Sequence, residues 1–171
     1  TILLDGGMGT MLQAAGMKLG TRPEDLNLEN PELIRSIHAK YAAAGSRVVN
    51  ANTFGASPHK LADSKYTLEE VITAGIANCK QAVAPYGALV TLDVGPLGEL
   101  LEPSGTLAVE DAVAEYGRIV RAGVAAGADI LYFETFTDLY EMKAALLAAK
   151  ENSTLPIMAS MSFEANGRTF T

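Results

Sequence analysis

Cysteine is almost missing from this chain: its 171 residues contain one, Cys79. A lone thiol excludes an internal disulfide framework and a cysteine-rich zinc site built from this chain alone, and it makes a reducing cytoplasm the expected compartment. Positive charge is also short, with 13 Lys and Arg against 20 Asp and Glu and a formal net charge of -7. Nucleic acid and anionic membrane surfaces both require basic patches, so neither is an expected partner. No apolar run approaches the ~20 residues that a membrane-spanning helix needs. The opening residues lack the basic-then-apolar pattern of a secretory signal.

What is present suits a globular α/β domain. Hydrophobic residues make up 49% of the chain, enough for one domain with a real core. The pattern is organised around Ile2-Leu3-Leu4-Asp5-Gly6-Gly7-Met8-Gly9-Thr10, a short apolar run that ends in an acid and then in glycines. It predicts a buried parallel strand opening into a loop where main chain lines a site. Asp5 falls at the carboxyl end, where α/β proteins bind their ligands. A tight turn with Asp5 capping the next helix is the plainer reading of the same residues.

The layout recurs down the chain. Residues 8–15 predict a short helix and 17–29 a polar loop. Asn30-Pro31-Glu32 starts a helix with a cap, a proline in the first position and an acid in the first turn. Ile34, Ile37, Tyr41 and Ala44 form its stripe, with His38 beside it as a partly buried helix histidine. Runs over 47–55, 88–96, 129–136 and 156–163 predict further strands, five in all. Thr67-Leu68-Glu69-Glu70 is a capping box for a helix whose stripe of Ile72, Ile76, Cys79 and Val83 puts the cysteine in the core. A helix begun by Glu110 and Asp111 turns Ala112, Tyr116, Ile119 and Gly123 inward, and one capped by Asp138 turns Leu139, Met142 and Leu146 inward. His59 lies in a loop with no partner apparent from sequence. Asn166-Gly167 is a two-residue turn signal.

The polar residues at the predicted strand ends, Asp5, Asn52, Asp93 and Glu134, stand 47, 41 and 41 residues apart. Each interval holds one β-loop-α-loop unit, the period of a parallel α/β architecture. An open doubly wound sheet and the first part of a (β/α)8 TIM barrel both fit. A full barrel takes about 250 residues, so the barrel expected here is one truncated after about its fifth strand, with 1–171 as the N-terminal part of a single domain. Nucleotide binding is disfavoured: Gly7-Met8-Gly9-Thr10-Met11-Leu12 lacks the third glycine, and Asn52 stands where an acid would grip ribose. No Lys or Arg falls at a predicted strand tip, which weighs against phosphate sites and Schiff-base chemistry.

The tips carry Asp5, Asp93 and Glu134 together with Asn52, Thr53, Thr135, Ser162 and the bare backbone of Gly6, Gly7 and Met8. Carboxylates take an ammonium through charge-assisted hydrogen bonds, and successive main-chain N–H groups cradle a carboxylate. The set suits a zwitterion. A hard-cation site, with Asp5, Asp93 and Glu134 holding Mg²⁺ for lyase or hydrolase chemistry, fits the same residues. A non-catalytic half-barrel that closes its sheet by assembly is a third reading.

Asp-Gly-Gly-Met-Gly-Thr at 5–10, Asn-Thr-Phe-Gly at 52–55, Gly-Pro-Leu-Gly at 95–98, Glu-Thr-Phe at 134–136 and Ser-Met-Ser-Phe at 160–163 occur in that order. With them the chain resembles, over essentially its whole length, the homocysteine S-methyltransferase domain. Leu-Glu-Asn-Pro-Glu-Leu-Ile at 28–34 is similar to the N-terminal homocysteine-binding modules of bacterial cobalamin-dependent methionine synthases. The resemblance implies a (β/α)8 barrel that binds homocysteine at its strand tips. It implies a zinc ion that turns the thiol into a thiolate, and methylcobalamin as methyl donor in the parent enzyme. Asp5 and Glu134 match positions that hold the amino group, and Gly6, Gly7 and Thr53 match positions lining the amino-acid pocket. The family's three zinc cysteines are expected beyond Thr171, and Cys79 matches none of them. The chain is therefore expected to hold no catalytic residue, metal ligand or bound cofactor, and to be inactive alone. Its expected substrate-binding residues are Asp5, Gly6, Gly7, Met8, Asn52, Thr53, Asp93, Glu134, Thr135 and Ser162. Its expected partners are homocysteine, the remainder of the barrel, and the cobalamin and folate modules of the parent.

Overall fold

A computed structural model describes residues 1–18 and 20–169. Numbered in chain order, the helices are α1 (Met8–Ala14), α2 (Leu26–Glu29), α3 (Pro31–Ala43), α4 (Leu68–Val83), α5 (Val109–Ala125) and α6 (Leu139–Asn152). The strands are β1 (Val48–Asn50), β2 (Leu89–Val94), β3 (Ile130–Phe136) and β4 (Ile157–Met161), all parallel in one sheet. Helices α3, α4 and α6 start where a side chain supplies a cap. Asn30 accepts from Leu33 N at 3.3 Å, Thr67 and Glu70 form a reciprocal box, and Asp138 accepts from Tyr140 N and Glu141 N. Each cap satisfies a donor that the first turn leaves orphaned.

Strand order separates the two candidate architectures. The strands lie in chain order, β1-β2-β3-β4, whereas a doubly wound sheet reverses direction to put helices on both faces. Consecutive helices pack side by side, α3 on α4, α4 on α5 and α5 on α6, as one layer on one face. This is the progression of a β/α barrel. Side chains alternate across a strand, so Leu131 and Phe133 turn to the helices while Tyr132 and Glu134 turn to the other face. On the helix side, Tyr116 packs its ring against Phe133 and Phe136 at centroid distances of 6.2 and 5.9 Å. Cys79 is buried in the same core.

Five apolar runs predict five strands, and the described residues form four. Ile2-Leu3-Leu4 makes only an isolated parallel bridge, Leu4 to Val48, with Leu3 O accepting from Arg47 N at 2.9 Å. It is not buried: Ile2 is 68% and Leu3 56% exposed, and its hydrogen bonds run to the 46–48 segment on one side. Residues 17–29 are not simply a polar loop, since a 3-10 turn at Pro23–Asp25 leads into α2 and buries Glu24 and Asn27. Ala44 and Leu139 are exposed, and Ala42 fills the place expected of Ala44. His38 is wholly rather than partly buried; burial lowers its imidazole to about 4, and neither ring nitrogen has a partner.

Candidate ligand-binding site

A cleft of about 160 Å³ opens at the carboxyl ends of the strands, lined by Asp5, Gly6, Gly7, Met8, Asn50, Ala51, Asn52, Phe54, Asp93 and Glu134. An adjoining chamber of about 300 Å³ adds Gly9, Pro23, Glu24 and Thr135 to five residues shared with the cleft. The sheet register explains why the acids converge. Asp93 pairs with Tyr132, so Glu134, two residues further, points to the same face one rung along. Asp5 follows the Leu4–Val48 bridge, and its Oδ2 accepts from Asn50 N at 3.1 Å.

The acids are held out of water without full hydrogen bonding. Asp5 Oδ1 and Asp93 Oδ1 are buried and have no partner. Burial pushes the Asp5 carboxyl up to about 7 against the pull of the Asn50 N–H, and repulsion from Glu134 adds to it. Asp93 is pushed well above the carboxylate range, first by burial and then by Glu134 and Asp5. Glu24, raised chiefly by burial, accepts from Gly55 N at 2.7 Å. A Cβ on Gly55 would stand 2.6 Å from Glu24 Oε1, so this motif glycine exists to admit that acid. Gly6 is similarly closed: a Cβ there would stand 2.9 Å from the Tyr41 ring, whose hydroxyl donates to Gly7 O at 3.1 Å.

Amides fix the walls. Asn52 Nδ2 donates to Pro23 O at 2.7 Å and to Asn27 Oδ1 at 2.9 Å, while Asn27 Nδ2 donates to Asn52 O at 2.8 Å. This ring clamps the 3-10 turn bearing Glu24 onto the rim. Register between β3 and β4 slips from Phe133 to Phe136, and Thr135 takes φ 63°. A left-handed β-branched residue is costly, and such strain collects at functional sites. Here it falls on the residue between Glu134 and Phe136, and Ser160 Oγ accepts its N–H at 3.1 Å.

Eight of the ten expected binding residues line the cleft or its neighbouring chamber, and two do not. The Thr53 hydroxyl is spent on the Asp93 backbone, donating to Asp93 O at 2.8 Å and accepting from Asp93 N at 3.1 Å. Ser162 lines a separate depression with Thr137, Phe163 and Glu164. Gly9, Pro23, Glu24, Asn50, Ala51 and Phe54 also line these spaces though the strand-end pattern does not mark them, and Asn27 and Lys60 support the rim from outside the lining. Lys60 brings a cation to a rim where the sequence places none, donating to Pro96 O at 2.6 Å with its ammonium 5.4 Å from the Phe54 ring centroid. It lies in the loop between β1 and α4, well past the strand, where no local pattern marks it.

Among the described residues no group of three or more His, Cys, Asp or Glu side chains is placed to hold a metal ion. The Mg²⁺ reading of Asp5, Asp93 and Glu134 thus lacks its ligand geometry. Zinc does not fit either: the lone thiol, Cys79, lies in the core with Sγ 3.9 Å from Val49 O, and burial pushes it away from the thiolate that zinc requires. His59, expected without a partner, has Nδ1 2.6 Å from Glu99 Oε1. Among the described residues no helix is long and apolar enough to cross a membrane.

A sequentially wound parallel sheet with an acidic cleft at its carboxyl rim defines a β/α ligand-binding domain. Residues 2–171 match the family described as homocysteine S-methyltransferase, and the chain belongs to that family. It is 30% identical over 183 residues to the methionine synthase of Mycobacterium tuberculosis, covering 95% of this chain and 15% of that one. The oxidized form of the homocysteine methyltransferase MmuM from Escherichia coli superposes with a TM-score of 0.78 at 29% identity, over 95% of this chain and 61% of that one. The metallated form of MmuM superposes with a TM-score of 0.84 at 24% identity, over 98% of this chain and 65% of that one. The chain thus spans 15% of the methionine synthase and less than two thirds of the MmuM chain. The resemblance carried by the five motifs holds.

Proposed function

We propose that the cleft binds homocysteine, and that these residues are the amino-acid-recognising part of a (β/α)8-barrel homocysteine S-methyltransferase. One observation carries this reading: two buried acceptors, Asp5 Oδ1 and Asp93 Oδ1, lack partners beside Glu134. Each such atom costs roughly 1–3 kcal/mol when left unmet, and an ammonium brings three N–H donors to meet them. Gly6, Gly7 and Met8 offer main chain to the ligand's carboxylate. The side chain then extends toward the chamber of Met8, Pro23 and Phe54. Thr53 acts through the Asp93 backbone it holds.

A metal bound by residues outside this set would favour the thiolate form of the homocysteine thiol. The described residues do not provide its ligands, so their own part is to bind and orient. Methylcobalamin as donor, the modules that carry it, and a cytoplasmic setting belong to the same proposal for the parent enzyme. The test is calorimetric titration of the chain with L-homocysteine. Saturable binding is expected, weakened about 1,000-fold in Asp5→Asn or Glu134→Gln, since removing one partner of a buried ion pair costs roughly 3–5 kcal/mol. No binding, or full affinity in both variants, defeats the reading. Methionine formed by the chain alone from homocysteine and methylcobalamin, or stoichiometric zinc kept through dialysis, defeats the division of labour.

A further inference from the structure

The Gly-Pro-Leu-Gly motif at 95–98 lines neither the cleft nor its chamber, yet it holds two residues that reach them. Gly95 N donates to Phe54 O at 3.0 Å, and a Cβ on Gly95 would stand 2.8 Å from two atoms of the Phe54 ring. Pro96 O accepts from Lys60 Nζ at 2.6 Å, and that ammonium lies 5.4 Å from the Phe54 ring centroid. A Cβ on Gly98 would stand 3.2 Å from Lys60 Cε. The loop is itself tied down: Leu97 N donates to Glu141 Oε1 at 2.8 Å, and Leu97 O accepts from Ser57 Oγ at 3.2 Å. Two motifs, 52–55 and 95–98, thus build one seat for one ring and one ammonium. Phe54 stays 39% exposed, and among the described residues it brings the one aromatic ring to either space.

Five residues line both the cleft and the chamber: Met8, Asn52, Phe54, Asp93 and Glu134. A ligand whose ammonium meets the acids sends its side chain past them. Asn52 Nδ2 has already donated both hydrogens, to Pro23 O and Asn27 Oδ1, so it brings no N–H to that side chain. Met8 and Phe54 remain as apolar walls. Sulfur packs favourably against a ring, whereas a hydroxyl gives up its water there. A cation near the ring holds it in place. With homocysteine taken as the ligand of this cleft, we infer that Phe54 is the specificity-determining residue for its side chain, selecting a thiol over a hydroxyl, and that Lys60 is the positioning residue that fixes the ring.

The experiment is calorimetric titration of the chain with L-homocysteine, L-norvaline and L-homoserine, which share amino and carboxylate groups and end in a thiol, a methyl and a hydroxyl. Wild type is expected to bind the first two about 10- to 100-fold more tightly than homoserine. Phe54→Ala should bring that ratio toward one; a merely structural loss lowers all three affinities alike and leaves it standing. Lys60→Met keeps the stem, removes the charge and should lower the ratio part of the way, while Lys60→Arg, which returns a cation to the ring, should keep it. The wild-type series needs no variant: homoserine bound as tightly as homocysteine overturns the inference, as does a wild-type ratio in Phe54→Ala. A wild-type ratio in Lys60→Met, or one that Lys60→Arg lowers as far, overturns the positioning role. Each of these outcomes leaves the homocysteine reading standing, and absence of homocysteine binding to wild type removes both.

Discussion

Asp93 and Glu141 are buried alike, 6% and 5% exposed, and their surroundings are opposite. Glu141, in the first turn of α6, is met by donors: its Oε1 accepts from Leu97 N and from the Tyr116 hydroxyl, each at 2.8 Å. Asp93 is met by other acids and keeps an empty acceptor. Burial raises both carboxyls, but around Glu141 the Leu97 N–H and the Tyr116 hydroxyl pull back down. Burial of an acid therefore does not mark a site. Unfilled acceptors that line a cleft do, because there a ligand can fill what the fold leaves bare.

The sharpest way to break this contrast is to delete each acid in turn. Glu141→Ala strands the Leu97 N–H and the Tyr116 hydroxyl and opens a void, so chemical denaturation should show a loss of about 3 kcal/mol. Asp93→Asn should lose far less stability. Equal losses at the two positions would mean that both acids are simply structural.

Acidity gives the next largest effect. Asp5 lies at about 7 in the folded chain against an ordinary value of 3.8. Between those values the folded state binds more protons than the unfolded one, so stability is full below about pH 4 and falls as pH rises through 7. Melting temperature should therefore decline from about pH 5 to pH 8 in the ligand-free chain. Asp5→Asn cannot ionise and should flatten the decline, gaining roughly 2 kcal/mol over wild type at pH 8 and nothing near pH 4. It gains stability where it loses homocysteine, the signature of a group kept for binding. A melting profile identical to wild type would remove Asp5 from the strained set.

Much of this was legible in the chain because the signals are local. Asn30, Thr67 and Asp138 cap their helices through residues two or three positions away. Asp93 and Glu134 each close an apolar run near a strand's carboxyl end, and Asp5 follows the run that bridges to β1. What escaped depends on distant partners. Glu24 and Asn27 look like loop polar residues until Gly55 N, Asn52 O and Val71 O, 25 to 44 positions away, take up their side chains. Ile2-Leu3-Leu4 shows the converse: an apolar run predicts burial, but burial needs neighbours on both sides, and here one strand edge supplies a single bridge. Thr53 shares the strand-tip pattern of the cleft residues, and nothing in the sequence shows that its hydroxyl turns back to the Asp93 main chain.

The smallest expected effect tests the satisfied side of the comparison. Tyr116→Phe removes one of the two donors to Glu141 Oε1 while keeping the ring against Phe133 and Phe136. Leu97 N still donates to that oxygen, so the cost should be about 1 kcal/mol, the net worth of one hydrogen bond. Homocysteine affinity should not change, because Glu141 and Tyr116 line neither the cleft nor its neighbouring chamber. A loss of affinity would show that Glu141 reaches the site through Lys60, which lies between it and Glu24. The satisfied acid would then be the anchor of the unsatisfied ones, not merely their contrast.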